Sequence, residues 1–282
     1  MVKLIACDLD GTLIHNNMIS SINKGAIKRF ENSGGRFVVS TGRDFNMAME
    51  VTDLSCDYIC ANGACVYENG KLVYKITMPR EDLEKIINIS KENCVIDLFT
   101  NKGIYNIGGV EKFKKDFKEV EEIIDEHGSF FGESDKEKLY YKMIGRRTFR
   151  EFKDLEDDIE VYKVFLQKFD INEIKKLRED FSVIKTINID SSFMYNIELT
   201  NINATKGKTV KAYAESKNIK MEEVMIIGDG ENDLSMLSMD FGFTVAMGNA
   251  EDSIKKAAKY TTIDCVDNGV AHAIEKYALK SF

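Results

Sequence analysis

Two aspartates, Asp8 and Asp10, stand two residues apart in Cys7-Asp8-Leu9-Asp10-Gly11-Thr12-Leu13, directly after the apolar run Leu4-Ile5-Ala6. The run reads as a short buried strand. Carboxylates two apart at the end of a strand point the same way, into one crevice. One acid could attack an electrophile there while the other moves protons. Asp-Gly is also a common turn signal, so the pair gains chemical meaning only from partners further along the chain.

Three clusters are candidates for those partners. Ser40-Thr41-Gly42-Arg43 follows Phe37-Val38-Val39, and a hydroxyl beside a glycine amide at a helix start makes an anion site. Lys206, in Ala204-Thr205-Lys206-Gly207-Lys208, stands in a helix's first turn, the end that disfavours a cation. A residue that breaks a local rule hints at function. Gly228-Asp229-Gly230-Glu231-Asn232-Asp233 follows Val224-Met225-Ile226-Ile227, and its acids and asparagine offer the hard oxygen ligands Mg²⁺ requires. A dinucleotide-binding reading fails, because Asp233 stands where the last glycine is needed. Taken singly, these clusters also read as an N-cap turn, a solvated lysine and an acidic loop.

The elements that must position these residues alternate. Lys3–Asp8 is expected as a strand, followed by a helix capped at Ser20 or Ser21 with Ile22, Ala26, Ile27 and Phe30 on one face. Gly34-Gly35 ends it. A strand at Phe37-Val38-Val39, a helix over Asp44–Asp53 and a strand at Tyr58–Ala61 follow. This βαβαβ order implies a parallel sheet with helices on both faces, whose carboxyl edge is where ligands bind. Asn69-Gly70 between Val66-Tyr67 and Leu72-Val73-Tyr74 predicts a hairpin. From Arg80 to Ile189 mixed segments, including Leu83–Ser90, Val95–Phe99, Lys112–Ile124, Tyr140–Ile144 and Val183–Ile189, read as an inserted α+β domain. The α/β rhythm is expected to return after Asn196-Ile197-Glu198-Leu199, with a helix over Thr205–Lys217, the strand Val224–Ile227 and a closing helix over Val270–Tyr277. The halves on either side of the insert are expected to share one sheet.

The chain has 282 residues, 44% of them hydrophobic and 30% charged, ordinary values for a globular protein with ample core. A net charge of −8 argues against a nucleic-acid surface. No apolar run approaches the length needed to span a bilayer, so a cytoplasmic location without a membrane partner is the expectation. Cys56, Cys60 and Cys65 match no zinc spacing, and the cysteines are expected as buried, reduced thiols. No cysteine is followed six positions later by arginine, which removes the signature of cysteine-dependent phosphatases.

In this order, D-x-D-G-T, S/T-G-R, a lysine and G-D-x-x-N-D resemble the four-motif set of the haloacid dehalogenase superfamily. The insert position and Asn62-Gly63-Ala64 resemble its Cof-like (type IIB) branch. The resemblance implies a Rossmann-like, doubly wound parallel-sheet core over 1–79 plus 190–282. It also implies an inserted α+β cap over 80–189 that selects the substrate. Asp8 is then the nucleophile, forming an aspartyl-phosphate, and Asp10 the acid that protonates the leaving alcohol and later activates water. Mg²⁺ would be held by Asp8, the Asp10 carbonyl and Asp229, with Asn232 or Asp233 supporting. Leu9, Thr41, Gly42 and Lys206 would bind the phosphoryl group. Arg43, Asn62, Lys142, Arg146 and Arg147 are candidate contacts for the rest of the substrate. The implied function is a Mg²⁺-dependent phosphatase of small phosphorylated metabolites, sugar phosphates or similar, working as a monomer or homodimer. A sugar phosphomutase is the enzymatic alternative, and a phosphometabolite-binding regulator without turnover is the third reading.

Overall fold

The computed structural model describes residues 1–90, 94–108, 147–149, 151–168 and 170–279. The chain forms two compact units: Met1–Lys75 with Asn203–Phe282, and Ile76–Ile202. The first begins with β1 (Leu4–Cys7), α1 (Ser21–Asn32), β2 (Arg36–Ser40), α2 (Phe45–Val51) and β3 (Asp57–Cys60). Ser20 caps α1, its hydroxyl accepting the Asn23 N–H at 3.0 Å, and Asp44 caps α2 through the Met47 N–H. Strands β4 (Cys65–Glu68) and β5 (Lys71–Lys75) follow as the expected hairpin. Both turn residues, Asn69 (φ 49°) and Gly70 (φ 75°), are left-handed, as a tight two-residue hairpin requires.

The second unit contains α3 (Arg80–Ser90), β6 (Val95–Thr100), β7 (Gly103–Ile107), β8 (Arg147–Phe149), β9 (Val161–Gln167), α4 (Ile171–Phe181), β10 (Ile187–Asp190) and β11 (Asn196–Asn201). Its six strands run β10-β11-β9-β6-β7-β8, antiparallel except for the β7–β8 pair. One sheet face packs Ile96, Leu98, Val164, Leu166 and Leu199 against Ile86 of α3 and Leu177 and Phe181 of α4. The alternate positions mix polar Asp97, Lys163, Gln167, Glu198 and Thr200 with Phe99 and Phe165, and there Lys163, lying over both rings, forms a buried ion pair with Glu198 at 3.0 Å. The expected segments Lys112–Ile124 and Tyr140–Ile144 lie outside the described residues.

The chain then returns to the first unit with α5 (Lys206–Ser216), β12 (Val224–Gly228), α6 (Leu234–Leu237), β13 (Phe243–Ala246), α7 (Asp252–Ala257), β14 (Tyr260–Thr261) and α8 (Gly269–Ala273). Its strands join those of the first half in one eight-stranded sheet, β14-β13-β12-β1-β2-β3-β4-β5, parallel from β14 to β3. Strand β1 is central, and Leu4, Ile5, Ala6 and Cys7 are all fully buried, which is why it reads as an unbroken apolar run. Leu4, Ala6, Val38 and Ile226 pack on one face with Val210, Tyr213, Met236 and Ile254 from α5, α6 and α7. Ile5, Cys7 and Val39 alternate to the other face, and α1 lies against β2.

Two boundaries differ from expectation. The units divide at Lys75/Ile76 and Ile202/Asn203, not at 79/80 and 189/190, so residues 190–202 belong to the second unit. The reason is the strand β11. Buried Ile197 and Leu199 alternate there with Asn196, Glu198 and Thr200, the period-two pattern of an antiparallel strand, and β11 pairs with β9 and β10. The last helix is α only over Gly269–Ala273 and continues as a π turn over Ile274–Ala278.

Helix α5 starts at the sheet's carboxyl edge, and Gly207 sets how close it comes to its neighbour. A Cβ at Gly207 would lie 1.9 Å from the Ser235 carbonyl oxygen and 2.7 Å from Met239 Sδ. Alanine would gain about 0.5–1 kcal/mol of helix propensity, but overpacking against a backbone carbonyl costs about 1–3 kcal/mol or more. Gly207→Ala is therefore expected to destabilise the protein. Urea unfolding should show a lower midpoint with the slope kept, and an unchanged or raised midpoint would contradict this packing.

Candidate active site

Four segments meet at the carboxyl edge of the parallel sheet, after β1, β2, β3 and β12. Asp8 follows β1 directly, its N–H donating to the Ile227 carbonyl at 2.9 Å, which ties the start of the first acid loop to β12. Gly11 turns that loop with φ +75°, and a Cβ there would lie 2.4 Å from Asp229 Oδ2. Only glycine satisfies both conditions. The turn brings the Thr12 hydroxyl onto Asp229 Oδ1, to which it donates.

Lys206 is the centre of the charge arrangement. It is the first residue of α5, where Thr205 is the N-cap and accepts the Lys208 N–H. Its ammonium is fully buried and donates to Asp8 Oδ1 at 2.6 Å and to Asp233 Oδ1 at 2.7 Å. The other Asp233 oxygen accepts the N–H groups of Asp229 and Gly230, at 2.8 and 3.0 Å. Asp233 thus braces the loop and the lysine at once. The expected placement of Lys206 at a helix start is explained: two carboxylates, not the helix dipole, decide its energy.

Asp8, Asp229 and Asp233 can each offer an oxygen within 4.8 Å of the others'. Three carboxylates therefore share one ammonium, an excess of two negative charges when all are ionised. Burial first, then the Asp233 charge, pushes Asp8 well above the ordinary carboxylate range, with Lys206 opposing. The same two causes raise Asp229 to about 7, against the Thr12 hydrogen bond. Burial alone would favour a neutral lysine, but Asp233 and Asp8 overcome it and hold Lys206 charged. An excess of two negative charges on clustered hard oxygens fits a divalent cation.

The second cluster surrounds β2. Thr41 is fully buried, its N–H donating to Ile59 O and its hydroxyl accepting the Arg43 N–H at 3.1 Å. Asn62 donates its N–H to the Thr41 carbonyl, and Ala61 donates to the Arg43 carbonyl at 2.8 Å. Ala61, Asn62 and Gly63 are all left-handed, with φ of 51°, 55° and 97°, a conformation that non-glycine residues adopt at a cost. Arg43 turns its guanidinium onto Asp10, Nε donating to Oδ2 at 2.9 Å and Nη2 to Oδ1 at 2.6 Å.

The structure thus gathers Asp8, Asp10, Thr41, Arg43, Asn62, Lys206, Asp229 and Asp233 at one sheet edge. Gly42 lies between Thr41 and Arg43, and Asn232 is buried in the Asp229–Asp233 turn. The side chain of Leu9 is fully buried and its carbonyl accepts the N–H groups of Leu13 and Ile14, so it is core and turn and could contribute only through its N–H. Lys142 and Arg146 lie outside the described residues, and of Arg147 only the backbone is described, in β8. All six cysteines are free thiols, five buried and Cys56 partly so. Thr12 stands in the D-x-D-G-T motif without an expected partner, and Asn249 is absent from the sequence-based candidates. Asn249 donates to the Gly11 carbonyl at 2.9 Å, lies 3.4 Å from Asp229 Oδ2, and accepts the Cys265 N–H. Its signal was available: it follows β13, another parallel strand whose carboxyl end reaches this edge.

Among the described residues no helix is long and apolar enough to cross a membrane. A family model for haloacid dehalogenase-like hydrolases matches residues 5–274. The chain is 30% identical to phosphatase YwpJ of Bacillus subtilis, over 97% of this chain and 99% of that protein. It is also 30% identical to the 5-amino-6-(5-phospho-D-ribitylamino)uracil phosphatase YcsE of the same organism, over 99% and 96%. A solved haloacid dehalogenase-like hydrolase from B. subtilis superposes with a TM-score of 0.84 at 28% identity, covering 98% of this chain and 100% of that one. With the sheet-edge geometry and a match spanning nearly its whole length, the chain belongs to the haloacid dehalogenase-like hydrolase family.

Proposed function

We propose that the protein is a Mg²⁺-dependent phosphatase of small phosphorylated metabolites that works through an aspartyl-phosphate on Asp8. The observation that carries this reading is Lys206: a buried ammonium that fixes Asp8 Oδ1 at 2.6 Å beside a carboxylate cluster with two charges in excess. Asp8 and Asp229 would hold the ion with the main chain of Asp10, while Asp233, with both oxygens already engaged, and Asn232 would support them. Bound there, Mg²⁺ would offset the charge between an anionic ester and an anionic nucleophile.

In the first step an Asp8 oxygen attacks phosphorus, the bond to the alcohol oxygen breaks, and Asp10 gives that oxygen its proton. In the second, Asp10 takes a proton from a water that attacks the aspartyl-phosphate, releasing phosphate and restoring the Asp8 carboxylate. The main-chain N–H groups of Leu9 and Gly42, the Thr41 hydroxyl and Lys206 would steady the phosphoryl oxygens as charge shifts in the transition state. The second unit would act as the cap that chooses the alcohol. The same reading makes the enzyme cytoplasmic, with a small phosphorylated metabolite as its partner.

Hydrolysis of p-nitrophenyl phosphate in the presence of Mg²⁺ is expected, and Asp8→Asn should lower kcat by at least about 10³-fold. Full activity in that variant would overturn the mechanism, and isomerisation dependent on a sugar bisphosphate would favour the phosphomutase. A panel of phosphorylated metabolites ranked by kcat/KM would then name the substrate.

The Asp229 carboxyl gives a second test. Its value rises from an ordinary 3.8 when unfolded to about 7 when folded, so in metal-free protein its ionisation costs stability as pH rises through that window. A divalent cation removes this penalty by replacing the proton. Mg²⁺ should therefore raise Tm more at about pH 8 than at about pH 5.5. Asp229→Asn should shrink that difference. An equal or larger shift at the lower pH would contradict the assignment.

A further inference from the structure

We propose that Arg43 is a positioning residue for Asp10, and not a contact for the distal part of the substrate. The inference rests on the phosphatase reading and concerns how its proton-shuttling acid is aimed. The Asp10 side chain is half exposed, whereas Arg43 is nearly buried, at 54% and 10%. An exposed aspartate on a turn samples several rotamers, and a proton donor that is not aimed forfeits much of its advantage. The two parallel bonds from Nε and Nη2 fix both oxygens of Asp10 in one plane, the specificity that a guanidinium fork supplies and an ammonium cannot.

Arg43 is itself held at both ends of its backbone. Its N–H donates to the Thr41 hydroxyl and its carbonyl accepts from left-handed Ala61. Its Nη2 also faces Asn17 Oδ1 at 3.4 Å. The Nε–Nη2 edge of the guanidinium is thus engaged by Asp10 and Asn17. The same short loop that presents Thr41 therefore aims the acid, so the phosphoryl cradle and the proton donor share one rigid support. Asp10 acts on the leaving oxygen, and Arg43 acts only through Asp10.

The test compares two esters that differ in their need for a proton. Glycerol 2-phosphate expels an alkoxide that must be protonated, whereas p-nitrophenyl phosphate expels a stabilised phenolate. Arg43→Met should lower kcat on glycerol 2-phosphate by about 10²-fold, with KM within about threefold of wild type. On p-nitrophenyl phosphate the loss should be about tenfold smaller. Arg43→Lys, which keeps the charge without the fork, should fall between wild type and Arg43→Met, and it carries the test if Arg43→Met does not fold by circular dichroism. Arg43→Met placed on Asp10→Asn should slow the enzyme no further. Equal losses on both esters, a rise in KM with kcat kept, or additive losses in the double variant would each overturn the proposal. Wild-type protein that hydrolyses neither ester, or Asp8→Asn at full rate, would instead sink the phosphatase reading on which it stands.

Discussion

The ammonium of Lys206, buried between Asp8 and Asp233, is the constraint around which the first unit is organised. A buried lysine is tolerable only when its charge is matched and its donors are filled. Matching it requires that α5 begin at the sheet edge, that β1 and β12 be neighbours, and that the loop after β12 fold back on itself. Each requirement has a local device. Thr205 caps α5, the Asp8 N–H reaches Ile227 across the β1–β12 pair, and Asp233 draws in the Asp229 and Gly230 N–H groups. Removing the lysine would leave three clustered carboxylates without the ammonium among them, braced by the Thr12 hydroxyl and the Asp229 and Gly230 N–H groups. When all three are ionised the cluster carries two negative charges in excess, a surplus that a divalent cation could offset.

The left-handed run Ala61-Asn62-Gly63 stores strain at the same edge. Its return is spatial. A Cβ at Gly63 would meet the Thr205 carbonyl at 2.5 Å, and the Thr209 hydroxyl donates to the Gly63 carbonyl at 2.7 Å. The run therefore touches the start of α5 on one side and grips the Thr41 and Arg43 carbonyls on the other. The Thr41–Arg43 loop and the lysine helix are registered to each other through these three residues.

Much of this was legible in the chain because it is local. Four apolar runs, each followed by acids, hydroxyls or glycine, place functional loops on one sheet edge, since a parallel sheet collects its carboxyl ends there. Asn69-Gly70 specifies its hairpin because only left-handed residues close it. What was illegible is pairing between distant segments. Nothing near Arg43 names Asp10 as its partner, thirty-three residues earlier, and nothing near Asn249 names Gly11. The strand at Asn196–Asn201 shows the other limit. Its period-two alternation suits an antiparallel neighbour, yet the expected boundary at 189/190 placed it with the parallel core.

The pair at Asp8 and Asp10 is where local pattern and distant pairing meet. Side-chain type and spacing make the two acids equivalent, and environment separates them. Asp8 is buried against an ammonium and beside two more carboxylates, so its oxygen is fixed, desolvated and dependent on positive charge, conditions that suit a nucleophile. Asp10 lies half in solvent and meets a guanidinium fork, so it keeps access to water and a defined orientation, conditions that suit a group trading protons. Two like groups pushed apart by their surroundings can divide acid–base and nucleophilic work without interfering. On the proposed reading that division would be made by Lys206 and Arg43, cations contributed from opposite halves of the chain that the shared sheet brings together.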